Sequence, residues 1–344
     1  MRPRAPTFGM VVLAAAALGA CGTDRDATLV VRTTLADDLR DYVEDSFEGA
    51  NPTIDLQFTE ATDLRSLEEL HNGGAVSFDV WWGASAESLE RAASAGLLLP
   101  YRPPWVPDFE GSDESERSDE HLWHPTQVTP FVIAFNRQTI PIARAPLDWP
   151  GVFHHRWFEG IFALDPTRSE EGAYFLGAVL VEILRDYDDL DRGFDWFTRL
   201  ESQIVRWVGQ PQEAIRALRS DEPSLAIVPR ADAEAARSTD AAWLHYRLPA
   251  SGTPVLARGV AIVRGTDLED AARRFVDHVG SVDVVTEAKL LTRWEPAYGD
   301  VDVSRIPIGF EIDTPWTPYP FATDTLVSEL GGWVSRWEVQ VRAR

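Results

Sequence analysis

A short polar segment in the middle of the chain carries the residue types best suited to binding a small anion. Asp165-Pro166-Thr167-Arg168-Ser169 follows a predicted strand at Ile161 to Leu164 and precedes a helix that we expect to begin near Gly172. An arginine at such a strand end could hold a carboxylate or phosphate through two parallel hydrogen bonds. A surface arginine beside an ordinary capped helix is an equally good interpretation. The candidates in this segment are Thr167, Arg168 and Ser169.

Other hydroxyl and amide side chains border predicted strands, where they could reach the same solute. Two threonines follow the first strand, and a serine follows a strand that contains two tryptophans. Two of these residues, Thr34 and Ser85, could equally cap the helices that begin there. The glutamines and the third threonine border a later apolar strand or precede a helix. These further ligand candidates are Thr33, Thr34, Ser85, Gln127, Thr129 and Gln210.

Signatures of catalysis and of metal binding were sought in the same residues. The sequence contains no nucleophile elbow, phosphate-binding loop or zinc signature. The neighbouring histidines His121 and His124, and likewise His154 and His155, lack a third ligand at a recognised spacing, so surface or stacking roles are the better interpretation. We therefore predict no catalytic residue, metal site or cofactor. An enzyme remains the alternative class, because fold does not fix function.

The N-terminal residues have the order of a secretory signal. Arg2 and Arg4 precede an apolar run from Phe8 to Leu18, which is too short to span a bilayer comfortably. Leu18-Gly19-Ala20-Cys21 resembles the bacterial lipobox, and Cys21 is the only cysteine. We predict a signal peptide at 1–20, a lipidated tether at 21–26, and a lipid-anchored protein in the periplasm or another extracytoplasmic part of the cell envelope. A buried core thiol is the alternative role for Cys21.

Length and charge restrict the architecture and the partners. The chain has 344 residues and a formal net charge of −23. Loss of the predicted signal peptide removes two arginines and no acid, which makes the mature chain more negative still. Such a polyanion repels nucleic acid, so we predict no nucleic-acid partner. The length exceeds that of one ordinary hydrophobic core, so two lobes are expected.

Strands and helices alternate in the first part of the chain. A strand at Leu29 to Val31 precedes an amphipathic helix, for which Thr34 and Asp37 fit a capping box. The alternating segment Ile54 to Phe58 is typical of a strand. A second helix and strand follow, and then a helix that opens at Gly83-Ala84-Ser85. The predicted bounds are Leu64 to Leu70 for that helix, Phe78 to Trp82 for the strand, and Gly96 for the end of the last helix. This alternation favours an α/β fold.

Two continuous apolar strands divide the rest of the chain. They are predicted at Phe131 to Phe135 and at Val255 to Val263, and each lies between segments of different character. Between them we expect a further strand at Leu225 to Val228. The acidic segment from Asp108 to His121 can bury almost nothing and is predicted to be a solvated loop. The two apolar strands could be paired crossings between two lobes.

Several motifs, in their order and spacing, resemble the extracellular solute-binding proteins of ABC transporters. The resemblance is to the branch that contains ferric-iron, hexose-phosphate, aminoethylphosphonate and polyamine binders, and it spans nearly the whole mature chain. The motifs are Asp79 to Glu87, Ala95 to Tyr101, Val132 to Asn136, Asp148-Trp149-Pro150, Asp165-Pro166-Thr167, Gly252 to Leu256, Gly259 to Val263 and Ala271 to Asp277.

The resemblance implies a two-lobed α/β fold of the type II periplasmic binding protein class. Two crossing strands, near 131–136 and 255–263, would form the hinge. The first lobe would comprise 27–130 and 260–344, and the second 131–259. Closure about such a hinge would trap the ligand in the cleft. Helix starts that face the cleft would suit anionic ligand groups.

The resemblance also bears on the ligand and partners. Ferric-iron relatives carry adjacent tyrosines where this chain has Ile227-Val228-Pro229-Arg230, and no tyrosine pair occurs anywhere in it. Ferric iron prefers hard anionic oxygens, so a small phosphorylated, phosphonate or carboxylate solute is favoured over iron, which stays the alternative. Tyr174, Tyr246 and Tyr298 could each contribute singly. The expected partners are the solute, an ABC-transporter permease and the membrane, with a monomeric chain. A ligand-sensing lipoprotein would have the same cleft.

Overall fold

The computed structural model describes residues 26–72, 77–106, 121–220, 222–239, 241–298, 301–306, 316–319 and 324–342. The predicted signal peptide, Cys21 and the acidic stretch at 108–120 lie outside these residues. The strands are β1 (Ala27–Thr33), β2 (Ile54–Thr59), β3 (Val80–Ser85), β4 (Leu98–Leu99), β5 (His124–Asn136), β6 (Ile161–Leu164), β7 (Ile204–Val208), β8 (Leu225–Pro229), β9 (Leu244–Arg247), β10 (Val255–Val263) and β11 (Glu295–Pro296).

Helices connect these strands in the alternation that the sequence predicts. They are α1 (Asp37–Ala50), α2 (Asp63–His71), α3 (Ala86–Ser94), α4 (Glu170–Tyr187), α5 (Leu190–Glu201), α6 (Pro211–Ala217), α7 (Arg230–Thr239), α8 (Glu269–Val279), α9 (Val282–Thr292) and α10 (Asp324–Trp337). Short 3₁₀ turns occupy Ile142–Arg144, Trp149–Phe153, His155–Trp157 and Val303–Arg305, and α10 continues into a π-helical turn at Glu338–Arg342. The predicted α/β fold is confirmed.

The start of α1 corrects the sequence prediction. Ala36 occupies the N-cap position of this helix, and no side chain caps it. Instead, the Thr33 hydroxyl accepts a hydrogen bond from the Leu35 backbone N–H at 3.1 Å. Thr33 to Leu35 therefore form a local turn before the helix begins. The prediction that Thr34 caps α1 was wrong.

Strand β5 connects two groups of strands. The order across the sheet is β2-β1-β3-β10-β5-β8-β6-β7, in which β1 is parallel to β2 and β3, and β6 is parallel to β7 and β8. The first half of β5, up to Pro130, pairs antiparallel with β10, and its second half, from Phe131, pairs with β8 and β9. Pro130 lies opposite Val255, Phe131 lies opposite Pro229, and the Phe131 N–H donates to the Pro254 carbonyl at 2.9 Å. Strand β5 therefore passes from one group of strands to the other, and β10 runs beside its first half.

Buried apolar side chains form two clusters: one on the group of strands that contains β1, and a larger one that extends across both groups. The first contains Leu29, Phe47 and Phe275 from β1, α1 and α8, and the second surrounds Phe131 and Phe135 of β5. Adjacent tryptophans on β3 contribute to different clusters, because successive side chains of a strand point to opposite faces: Trp81 packs in the second cluster and Trp82 in the first. Full burial of one such large side chain stabilises the fold by about 1.5–3 kcal/mol.

The C-terminal helix contacts elements on both sides of the predicted lobe boundary. Helix α10 packs on α4 and α3, and the turn that follows it packs on α5. Its last residue, Trp337, is fully buried, and Arg342 donates to Asp165 at 2.8 Å. The division into 27–130 with 260–344 and 131–259 stays a prediction.

Candidate functional site

A cavity of about 560 Å³ lies where the starts of several helices converge over β10. Its volume falls within the range typical of sites for small molecules. The polar and charged side chains that line it are Thr34, Thr62, Asp63, Ser85, Glu87, Ser88, Arg91, Glu170, Glu171, Tyr174 and Arg258. Apolar residues of α2, α4, α10 and β10, together with Trp294, complete the wall.

Each of three helices begins at this cavity with a hydroxyl cap followed by acids. Thr62, Ser85 and Ser169 accept backbone N–H groups at the starts of α2, α3 and α4. Hydroxyl caps are favoured because the first N–H groups of a helix have no partner within it. Carboxylates in the first turn then meet the positive end of the helix dipole. These acids are Asp63 on α2, Glu87 on α3, and Glu170 and Glu171 on α4.

Arg258 brings a positive charge to the floor of the cavity. It lies in the apolar strand β10, opposite Ser85 on β3 and Gln127 on β5, and its guanidinium carbon is 4.2 Å from the centre of the Trp294 ring. The guanidinium makes no hydrogen bond or ion pair with any described residue. Burial lowers the pKa of Arg258, and nearby carboxylates oppose that effect; they belong to Glu171, Asp232, Asp63 and Glu170.

Three of the four carboxylates are held by the chain's own donors. Asp63 accepts a hydrogen bond from the Ser85 backbone N–H at 2.8 Å, and Glu171 accepts one from the Ser169 hydroxyl at 2.7 Å. Glu87 pairs with Arg91 at 2.7 Å. Burial raises the pKa of Glu87 despite that arginine. Burial, followed by the negative charges of the neighbouring acids, also raises the pKa of Glu170.

Tyr174 places a hydroxyl against the same cavity. Its side chain is only 6% exposed, and its hydroxyl has no hydrogen-bond partner among the described residues. Burial, together with the charge of Glu87, raises the pKa of this phenol. A buried hydroxyl without a partner costs about 1–3 kcal/mol. Tyr174 thus lines the cavity and carries a buried hydroxyl whose hydrogen-bonding capacity no described residue uses.

Two of the predicted ligand residues, Thr34 and Ser85, line this cavity. Ser85 also caps α3, and its role as a ligand residue stays a prediction. Thr33 is buried in its own turn, Gln127 donates to Thr292 at 3.0 Å, and Thr129 accepts from the Ala231 N–H at 3.0 Å. These three residues do not line the cavity.

The four candidates near the start of α4 and α6 also lie outside it. Thr167 bonds Asp165 through both its N–H and its hydroxyl, and Ser169 caps α4. Arg168 is exposed and its guanidinium lies against Gly209, while Gln210 is exposed at the start of α6. The neighbouring acids of α4 enter the cavity instead.

Sequence reasoning missed the charged residues of the cavity, although two signals were present. Acids follow the serines at predicted helix starts: Glu87 comes two residues after Ser85, and Glu170 comes directly after Ser169. A single arginine, Arg258, interrupts the apolar run from Val255 to Val263. A charge inside an otherwise apolar strand is costly unless it is compensated or used.

The rings of each of the two neighbouring histidine pairs lie close together. The rings of His121 and His124 stack at 5.8 Å, and His124 Nε2 lies 2.6 Å from the Tyr101 carbonyl oxygen. The rings of His154 and His155 are 4.2 Å apart. In the part of the chain that the structure describes, no three His, Cys, Asp or Glu side chains are grouped so as to hold a metal ion. Within that same part, none of the helices has the length and apolar character needed to cross a membrane.

The fold and the cavity between helix starts define a two-lobed solute-binding protein. Residues 78–288, more than half of the chain, match the family of bacterial extracellular solute-binding proteins. The chain belongs to this family.

Individual relatives agree with the assignment. The chain is 26% identical over 281 residues to the probable ABC transporter periplasmic-binding protein y4fP of Sinorhizobium fredii, covering 77% of this chain and 73% of that protein. The ferric binding protein from Campylobacter jejuni superposes with a TM-score of 0.75 at 15% identity, covering 90% of this chain and 98% of its own. The fructose-6-phosphate-bound AfuA from Actinobacillus pleuropneumoniae superposes with a TM-score of 0.69 at 19% identity, covering 92% and 99%. At these identities the two structures establish the shared fold.

Proposed function

We propose that this chain is the solute-binding component of an ABC importer and that it captures a small solute through an anionic group bound to Arg258. The observation that carries this proposal is the Arg258 guanidinium, which lies at the floor of the cavity without a hydrogen bond to any described residue. A guanidinium offers five donors in a planar fork that matches a carboxylate, phosphate or phosphonate. The solute class therefore stays anionic, as the sequence predicts, with Arg258 rather than Arg168 as its partner.

The proposed cycle uses the two crossing strands. Solute enters the open cleft, and rotation about β5 and β10 closes the lobes over it, in the manner of hinge closure in binding proteins. The closed form delivers the solute to a permease. The same cleft would serve a ligand-sensing lipoprotein. Uptake of the solute into cells that depends on this protein would favour import over sensing.

Lipid anchoring at Cys21 belongs to the same proposal. The signal at 1–20 would direct export, and acylation of Cys21 would hold the monomeric protein at the outer side of a membrane. More than one acyl chain is needed for stable anchoring. Mass spectrometry of the mature N-terminus should show acylated Cys21, and Cys21→Ala should release the protein from membranes. An unmodified cysteine would contradict the anchor and leave the proposed solute binding intact.

The anion proposal is tested on protein purified without refolding. Native mass spectrometry should detect a small bound solute, and thermal shift with phosphate, methylphosphonate and acetate should rank its anionic group. A solute at 100 times its Kd adds about 2.7 kcal/mol of stability. Arg258→Gln should lose the solute, while Arg264→Gln, outside the cavity, should keep it. Equal retention by both variants would overturn the proposal.

Ferric iron is the second candidate, supported by the iron-binding proteins among the structural relatives. Tyr174 and the acids of the cavity are hard oxygen donors, which suit ferric iron, although no tyrosine pair is present. Titration with ferric citrate distinguishes the candidates. A tyrosinate absorption band with tight uptake would favour iron over the anionic solute.

A further inference from the structure

We infer that a second anion-binding site lies in a surface depression beside β6 and β7, and that it binds the phosphate group of a small phosphate ester or of a lipid headgroup. The depression has a volume of about 360 Å³. Prolines and a glycine form part of its wall, and the side chains that give it its chemistry are Arg144, Phe153, His154, Arg156, Trp157 and Arg199. This site goes beyond the proposed function, because it does not involve Arg258.

The charge of the depression is opposite to that of the whole chain. The sequence has 55 aspartates and glutamates against 32 lysines and arginines, yet three arginines and no acid line the depression in the described part of the chain. None of the three guanidinium groups is paired with a carboxylate there. The acids nearest in sequence, Asp148 and Glu159, do not line it, and Asp148 accepts a hydrogen bond from the Ser251 hydroxyl at 2.7 Å. Because charges more than about 10 Å away are largely screened, the local arginines decide which ions bind here.

Rings, rather than carboxylates, hold two of these arginines. The guanidinium carbon of Arg199 is 4.3 Å from the centre of the Phe153 ring, and that of Arg156 is 5.7 Å from the centre of the Trp157 ring. Arg156 Nε also donates to His154 Nδ1 at 3.2 Å. A guanidinium that lies over a ring keeps its in-plane N–H groups for an oxyanion. The two arginines are therefore oriented without losing the donors that a phosphate needs.

His154 adds a donor of a different kind. Its Nδ1 accepts a hydrogen bond from the Arg156 backbone N–H at 3.3 Å. In the neutral ring the proton then lies on Nε2, which is a donor. Desolvation, followed by the positive charges of Arg156 and His155, lowers the pKa of His154. A bound phosphate would oppose those charges and raise this pKa.

The depression is separate from the cavity of Arg258. The Gly160 N–H, just before β6, donates to the carbonyl of Trp157 at 2.9 Å and to that of Gln203, just before β7, at 3.1 Å. The depression therefore lies where β6 and β7 begin, whereas α4, which lines the other cavity, starts beyond the end of β6. The two have no lining residue in common. An anion bound in the depression leaves the cavity of Arg258 free for solute.

Exposed apolar side chains beside the depression favour a lipid as the source of the phosphate. Leu147 is 64% exposed and Phe158 is 61% exposed. They directly follow Pro146 and Trp157, which line the depression. Proteins that lie on anionic membranes combine exposed leucine and phenylalanine side chains with basic residues that contact lipid headgroups. This part of the surface has both.

Two probes of the same chemistry test the inference: glycerol 3-phosphate in solution, and vesicles that contain phosphatidylglycerol. Calorimetry measures the first and sedimentation measures the second, with phosphatidylcholine vesicles as the blank. The parent protein for all measurements carries Cys21→Ala and Arg258→Gln. These changes remove the proposed anchor and the proposed solute contact, so that neither contributes to binding.

The test variant adds Arg156→Gln/Arg199→Gln to the parent protein. The matched control adds Arg216→Gln/Arg274→Gln, which removes two exposed arginines of α6 and α8 that do not line the depression. Circular dichroism and urea unfolding check that each variant folds. If the test variant does not fold, NMR titration of His154 in the parent protein replaces it, because glycerol 3-phosphate should raise the pKa of this histidine.

Glycerol 3-phosphate should bind the parent protein and the control alike, and the test variant at least about tenfold more weakly. Binding to anionic vesicles should show the same loss, and Leu147→Ser/Phe158→Ser should weaken vesicle binding only. Binding of glycerol 3-phosphate without vesicle binding would support the site and assign it to a free phosphate ester. Equal binding by the test variant and the control, binding of neither probe, or an unchanged pKa of His154 would overturn the inference and leave the proposed function standing.

Discussion

Arg230 is buried and Arg258 is half-buried. They contact two residues that are adjacent in the chain, Glu295 and Trp294, yet their surroundings differ. Arg230 is 3% exposed and donates to Glu295 at 2.5 Å, and Lys289, the only lysine of the chain, bonds the other oxygen of the same carboxylate. Arg258 stacks on Trp294, the residue before Glu295, and its guanidinium bonds no described residue. One arginine is neutralised by the fold, and the other faces a cavity.

The difference separates a structural charge from a charge available to a ligand. A buried cation that is paired within the protein contributes chiefly to stability, since the loss of its partner leaves an uncompensated charge. An arginine with unused donors at a cavity is, under the proposed function, available to a ligand instead. Variants at the two sites should therefore change different quantities: the free energy of unfolding at the first and solute affinity at the second.

The largest effect is expected for Glu295→Gln. This change leaves Arg230 and Lys289 buried without their carboxylate, and should lower the free energy of unfolding by about 3–5 kcal/mol. Urea unfolding measures it. The matched control is Glu287→Gln, which removes the partly exposed partner of Arg305 and should cost about 1 kcal/mol or less. Equal losses of unfolding free energy in the two variants would show that the buried ion pairs of Glu295 stabilise the fold no more than the partly exposed pair of Glu287 does.

Asp232→Asn probes the charge beside Arg258. Burial, followed by the charge of Glu171, raises the pKa of Asp232 from 3.8 to about 6. A carboxyl whose pKa is raised by folding stabilises the folded state while protonated, so its contribution is full below pH 3.8 and is lost as the pH rises through about 6. We expect Asp232→Asn to be more stable than wild type at pH 7 by up to about 3 kcal/mol.

The pH dependence is the diagnostic part of this prediction. Urea unfolding of the solute-free proteins at pH 7 and at pH 4 should show the gain shrinking toward zero at the lower pH, where the wild-type carboxyl is itself protonated. A gain of equal size at both values would attribute it to packing and contradict the raised pKa.

Arg258→Lys keeps the positive charge of the open site but removes the planar fork. A lysine cannot form two parallel hydrogen bonds to one oxyanion. The affinity for the natural solute should fall about tenfold, or about 1.4 kcal/mol, with little change in stability. Calorimetry with the solute released from the purified protein measures this. Full affinity in the lysine variant would show that charge alone suffices.

Tyr174→Phe removes the unused hydroxyl. If the solute supplies its partner, affinity should fall severalfold, as expected for a net hydrogen bond of about 1 kcal/mol. The solute-free protein should lose no stability, because no protein hydrogen bond is broken. Thermal unfolding with and without solute measures both effects. A variant destabilised equally with and without solute would indicate a purely structural tyrosine.

The smallest effect is expected for Arg168→Ala, which tests the arginine that the sequence alone favours. Arg168 is exposed and does not line the cavity, so solute affinity should change less than about twofold, within the range of ordinary surface substitutions. A large loss in a calorimetric titration would restore Arg168 as a ligand residue and place part of the site nearer α6.

Local patterns predicted the elements well and the site poorly. Strand β10 has the predicted bounds, Val255–Val263, because a short, mostly apolar segment with β-branched residues and flanking turn residues favours a buried strand. The role of Thr129 depends on Ala231, 102 residues away, and no local pattern shows such a partner. Ser85 was found because its position at a helix start is itself local. Arg258 was missed because its position at a cavity depends on helix starts that are distant in the sequence and converge above it.

The prolines beside the crossing strands have a mechanical consequence. Pro130 and Pro254 lie where β5 passes from one group of strands to the other, and Pro229 lies opposite Phe131 on the far side of that line. None of the three can donate a backbone hydrogen bond. The cross-strand ladder therefore has fewer backbone donors along this line. Under the proposed hinge closure, the sheet would bend where these donors are missing, at the passage of β5 from one group of strands to the other.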